Sequence, residues 1–184
     1  MAKVLVPLAQ GCEELEAVTI IDLLRRAGIE VVVAGLNSDP VKASRGVCFL
    51  PDTTLDEALR HDDYDMVVLP GGMPGAENLE QDPRIQQLLR RMADSNKFIA
   101  AICAAPKVLA GAGLLAGKKA TSYPGFLDAG KFEGVTSTGS ALEQDGNIIT
   151  SRGPGTAMDF ALALVEALEG NAARVKVEQA LVRY

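Results

Sequence analysis

The chain has 184 residues, 48% of them hydrophobic and 23% charged, a composition that suits one soluble globular domain with a substantial core. A net charge of −6 and an aromatic content of 4%, without tryptophan, argue against nucleic acid or an anionic membrane as its main partner. Three cysteines make no disulfide framework, and neither a signal peptide nor a bilayer-spanning apolar run is evident, so a reducing, cytoplasmic setting is expected.

In chain order, Val4–Leu8 reads as a short strand, followed by a helix from Glu13 to Ala27 that stops at Gly28. Glu30–Leu36 is a nearly continuous apolar strand, the pattern of a strand covered on both faces. Val47–Leu50 is read as a further strand and Leu55–Arg60 as a short helix. Asp65–Leu69 is a strand ending at Pro70-Gly71-Gly72. Asp82-Pro83 reads as a cap with proline in the first helical position, opening a helix to about Ser95.

Lys97–Ile102 is the next strand and Ala104–Ala112 the next helix. Ala141–Ser151 reads as a hairpin turning at Asp145-Gly146. A helix from Thr156 to Leu168 follows, with Thr156 and Asp159 resembling a capping box, and then a last segment, Ala172–Leu181. Strands alternating with helices predict an α/β domain, doubly wound and flavodoxin-like, whose mostly parallel sheet carries helices on both faces.

Ligands of such sheets bind beyond the carboxyl ends of the strands. Three strands end there in distinctive residues: the first in Cys12, Glu13, Glu14 and Glu16, the fourth in Gly71-Gly72, the fifth in Cys103. A cysteine entering a helix N-terminus meets unpaired amides, so a lowered thiol pKa is expected on a strand-to-helix turn of the nucleophile-elbow type. Gly71 and Gly72 let backbone N–H groups approach a developing oxyanion, and carboxylates can move protons.

Each feature alone has a plainer reading: a buried thiol, a turn, an acidic first helical turn. Their meeting on one edge favours a thiol enzyme. Periodicity places Ala17, Ile20, Ile21 and Leu24 on the apolar face of the first helix and does not select among the three glutamates. His61 falls at the amino end of a strand, on the edge opposite Cys103, and the cysteine spacing fits no metal site. Arg152, in Ser151–Phe160, could hold an anion or pair with a carboxylate near the site, while that stretch fits neither nucleotide-binding glycine pattern.

The sequence closely resembles the ThiJ/PfpI superfamily, in the branch of the parkinsonism-associated protein deglycase and its bacterial homologues. The likeness runs end to end through GCEELEA (11–17), DLLRRAGIEVVVAGL (22–36), SRGV (44–47), YDMVVLPGG (64–72), AAICAAP (100–106) and TSRGPGTAMDFALALVEAL (150–168). It implies Cys103 as the oxidation-sensitive nucleophile, Glu16 as its carboxylate partner, and Gly72 and Ala104 as oxyanion donors. It also implies a homodimer, no cofactor, and small dicarbonyls or glycated proteins as substrates.

There are departures. Tyr123 stands where this branch often has a histidine, which disfavours a Cys-His peptidase, and Cys12 stands where alanine or serine is common. Ala43 and Leu50 replace two accessory cysteines. The leading expectation is a glyoxalase or deglycase. Its rival is a redox sensor or chaperone using the same cysteine, and an amidase is a third reading.

Overall fold

The structure, a computed structural model, describes every residue except Asp62, Ala129 and Tyr184. In chain order it contains β1 (Lys3–Leu8), α1 (Glu14–Arg26), β2 (Glu30–Gly35), β3 (Val41–Lys42), β4 (Cys48–Phe49), β5 (Thr53–Thr54), α2 (Leu55–Ala58), β6 (Met66–Leu69), α3 (Gly75–Gln81), α4 (Pro83–Asp94), β7 (Phe98–Ile102), α5 (Pro106–Gly111), β8 (Lys119–Ala120), β9 (Thr136–Ser137), β10 (Leu142–Asp145), β11 (Ile148–Ser151), α6 (Ala157–Glu169) and α7 (Asn171–Ala180).

Seven strands form the main sheet in the order β10-β11-β7-β6-β1-β2-β5, parallel throughout except for the β10-β11 hairpin. This is the doubly wound, flavodoxin-like architecture that the alternation of elements predicts. Its inner strands β1, β6 and β7 are almost wholly buried because their side chains are apolar on both faces. Helix α1 packs on α6, which carries α7, while α3 packs against α4 and α5. One contiguous core of Leu, Ile, Val, Ala and Phe joins these layers.

Register fixes where the site lies. Leu8 pairs with Gly35, Leu69 with Ala101, and Ile102 with Ser151, so β1, β6, β7 and β11 all end on one edge. Main-chain pairing alone therefore gathers the loops that begin at Ala9, Pro70, Cys103 and Arg152.

Four local readings change. The Val47–Leu50 strand contracts to β4 and pairs antiparallel with β3, outside the main sheet. The hairpin turns at Gly146-Asn147, since Asp145 still pairs with Ile148, and Gly146 takes the positive φ of +64° that the turn requires. Thr156 does not form a capping box with Asp159; its hydroxyl turns back to Gly153 and Ser151. Helix α5 begins at Pro106, so Ala104 and Ala105 belong to the preceding turn. Among the described residues no helix is long and apolar enough to cross a membrane.

Candidate active site

Cys103 follows the last residue of β7 and has φ +65°, a left-handed conformation that a non-glycine residue adopts only under constraint. The constraint is visible on both sides of the residue. Its N–H donates to the Ser151 carbonyl at 3.0 Å, and its own carbonyl accepts from the Tyr123 N–H at 2.8 Å. The strained turn expected of a nucleophile elbow is present, with Cys103 only 8% exposed.

The space beneath the elbow exists because residue 71 has no side chain. A Cβ on Gly71 would lie 2.6 Å from Cys103 Cβ and 2.9 Å from the Ala104 nitrogen. At Gly72, φ is +88° and a Cβ would lie 2.4 Å from the Glu13 nitrogen. The Pro70-Gly71-Gly72 turn is thus wedged between the Cys103 turn and the start of α1.

That wedge explains Glu16. The Gly71 peptide is held from both ends: its carbonyl accepts from the Glu13 N–H at 2.9 Å, and its N–H donates to Glu16 Oε2 at 2.8 Å. Glu16 is wholly buried, whereas Glu13 and Glu14 are half-buried and face another loop. Both accept from the Ser44 hydroxyl, and Glu14 also accepts from the Arg45 N–H. The structure therefore separates three glutamates that helical periodicity leaves together.

Electrostatics couple the pair. Burial pushes the Glu16 carboxyl up to about 7, against the Gly71 amide and the Cys103 thiol, with the Glu13 charge adding to the rise. Burial pushes the Cys103 thiol up to about 12, and the Glu16 carboxylate adds to this, while the Gly72 and Ala104 amides act in the opposite sense. The lowered thiol pKa expected from the helix end is therefore not found: burial first, and then the Glu16 charge, holds the thiol up. Helix α5 has six residues and starts three positions beyond Cys103, so it compensates little of the burial.

Protonation of Glu16 reverses its effect. Charge repulsion is removed, and a carboxylic acid can donate a hydrogen bond to sulfur. Glu16 Oε1 is buried without a hydrogen-bond partner among the described residues, leaving one oxygen of this acid uncommitted.

The other anticipated residues occupy distinct places. Gly72 and Ala104 direct their amides at the Cys103 sulfur. Cys12 is buried, with its carbonyl accepting from Ser44 and its thiol pushed up to about 12 by burial and then by the Glu14 charge. Tyr123 has a half-exposed ring against Gly153 and Phe126, and it is tied to the site through its own N–H. Arg152 is exposed and donates from Nη1 to the Gly139 carbonyl at 3.1 Å. His61 is an exposed residue at the opposite sheet edge, just after α2. Among the described residues no three His, Cys, Asp or Glu side chains converge as a metal-binding group.

The sequence reading missed the clamp on Gly71 and the backbone tie from Tyr123, which are long-range hydrogen bonds without a local pattern. Fold and site together define a doubly wound α/β protein with a thiol on a strained turn above a buried carboxyl.

The DJ-1/PfpI family model matches residues 2–167. The chain belongs to this family. It is 42% identical over 184 residues to the zebrafish (Danio rerio) Parkinson disease protein 7 homolog, covering 98% of this chain and 96% of that protein. The crystal structure of Drosophila melanogaster DJ-1beta superposes with a TM-score of 0.92 at 44% identity, covering 98% of this chain and 97% of that one. A Caenorhabditis elegans relative named glutathione-independent glyoxalase DJR-1.2 is 36% identical over 169 residues, covering 92% of this chain and 89% of that protein.

Proposed function

We propose that this protein is a cofactor-independent glyoxalase or deglycase acting on methylglyoxal, glyoxal or early glycation adducts. One observation carries the reading: a single strained thiol is paired with a buried carboxyl that burial raises to about 7 and whose Oε1 has no hydrogen-bond partner among the described residues. The name of the nematode relative supports the same chemistry.

The steps follow from the residues. Cys103 sulfur, as thiolate, adds to the aldehyde carbon of methylglyoxal, and the carbonyl pair becomes an oxyanion within reach of the Gly72 and Ala104 amides. Glu16 protonates that oxygen, then removes the proton from the same carbon to give an enediol. Returning a proton to the neighbouring carbon yields a thioester. Water cleaves it, restoring the thiol and releasing lactate and one proton. In sum, one dicarbonyl and one water become one hydroxy acid.

A variant that keeps the geometry but cannot carry a proton tests this. Glu16→Gln is expected to lower kcat for lactate formation by roughly 10²–10⁴-fold while Cys103 still alkylates. Wild-type lactate formation by this variant, measured with subtraction of buffer-catalysed dicarbonyl loss, overturns the proton-shuttle role.

A further inference from the structure

Beside the elbow lies a pocket of about 310 Å³ lined by Tyr123, Pro124 and Arg152–Thr156. Both sides of this pocket are fastened to the nucleophile's own peptide groups: Ser151, immediately before Arg152, accepts from the Cys103 N–H, and Tyr123 donates to the Cys103 carbonyl. The lining includes one guanidinium, one phenol and no carboxylate, although the chain carries a net charge of −6. The Arg152 guanidinium has no carboxylate partner among the described residues; it donates to the Gly139 carbonyl, while the Arg152 backbone N–H donates to the Ala141 carbonyl. The lining ends at Thr156, where α6, thirteen residues long, begins, and its dipole adds positive potential there.

We propose that this pocket is the recognition subsite for Cys103 and that it selects carbonyl compounds bearing an anionic group, held by the Arg152 guanidinium with the Tyr123 hydroxyl as a second donor. A guanidinium gives a short oxyanion charge-assisted, paired hydrogen bonds that a neutral group of the same shape cannot match. The substrate class, α-oxoaldehydes that carry a carboxylate, rests on the dicarbonyl reading above. The subsite does not, because it acts on any small electrophile approaching the sulfur.

Alkylation of Cys103 by iodoacetate and by iodoacetamide isolates the charge. Both reagents form the same S–CH₂ bond and release iodide, and they differ in carboxylate against amide. Site-resolved mass spectrometry gives the two rates at Cys103, and their ratio is divided by that for 2-mercaptoethanol. In the wild-type protein this normalised ratio is expected to favour iodoacetate by about tenfold, and to shrink in about 0.5 M salt.

Arg152→Gln should bring the ratio near one, and Arg152→Lys should restore part of it. A wild-type ratio of one, a ratio unaltered in Arg152→Gln and in salt, or a Cys103 that neither reagent reaches overturns the subsite. Failure to consume methylglyoxal with an Arg152-dependent ratio intact overturns the glyoxalase reading and leaves the subsite standing. Turnover of methylglyoxal without charge preference does the reverse.

Discussion

Cys12 and Cys103 are both buried at the carboxyl edge of the same sheet, one after β1 and the other after β7, and both thiols are pushed up to about 12. Burial comes first in each case. What differs is the company. Cys12 faces Glu14, then Glu13 and Glu16, and only its own backbone amide opposes them. Cys103 faces one carboxyl, itself raised to about 7, and two amides from Gly72 and Ala104. A thiol beside a carboxyl that takes up a proton near neutrality can be released by that proton. A thiol whose leading charge is Glu14, held in the ionised range against burial by its own amide and those of Arg45 and Val47, gains little such release.

The widest gap between the two thiols should be in turnover. Cys103→Ser is expected to lower lactate formation by about a thousandfold or more, because the hydroxyl is a far weaker nucleophile without a strong base. Cys12→Ser should stay within about threefold of wild type, as an exchange of one small side chain for another. An equal loss in both variants, measured as kcat/KM, erases the distinction between the two thiols.

Next in size is the close approach at Gly71, whose nearest neighbours all belong to the Cys103 turn. Gly71→Ala places a methyl 2.6 Å from Cys103 Cβ and 2.8 Å from the Ile102 carbonyl. The elbow must shift, at a cost of about 1–3 kcal/mol by chemical denaturation. A displaced nucleophile should then lose about 10²-fold in turnover. Full activity in a folded Gly71→Ala protein means that the elbow tolerates a shift that these close contacts argue against.

Legibility in the sequence divides along the same line. The buried strands declare themselves through runs such as Val31–Ala34 and Met66–Leu69, and chain order then brings Cys103 and Gly71-Gly72 to one edge. Helix α3 does not declare itself, because its buried face is Gly75, Ala76 and a single large residue, Leu79, just after a turn signal. Two-residue ladders such as β8 with β9 carry no period to read. Glu16 is hidden for a deeper reason: its burial is decided by the Gly71 amide 55 positions away, and Glu13 and Glu14 have equal local claims. Resemblance to a family points to Glu16; only the three-dimensional clamp explains it.

The smallest effect tests the carboxyl on which the contrast between the thiols turns. Glu16 rises from 4.5 to about 7 on folding, so between those values the folded protein keeps a proton that the unfolded chain gives up. The associated stability is present in full below about 4.5, is lost as pH rises toward 7, and changes no further above it. The shift corresponds to about 3 kcal/mol. Several carboxylates held low, such as Asp65 by Lys97 and Asp82 by Arg84, pull in the opposite sense as acid is added. The difference between wild type and Glu16→Gln, followed by urea unfolding across pH 4 to 8, removes their shared contribution. That difference should move by about 3 kcal/mol against wild type as pH rises, and a flat difference means that Glu16 titrates as in the unfolded chain and is ionised near neutrality, which would leave Cys103 as poorly placed to act as Cys12.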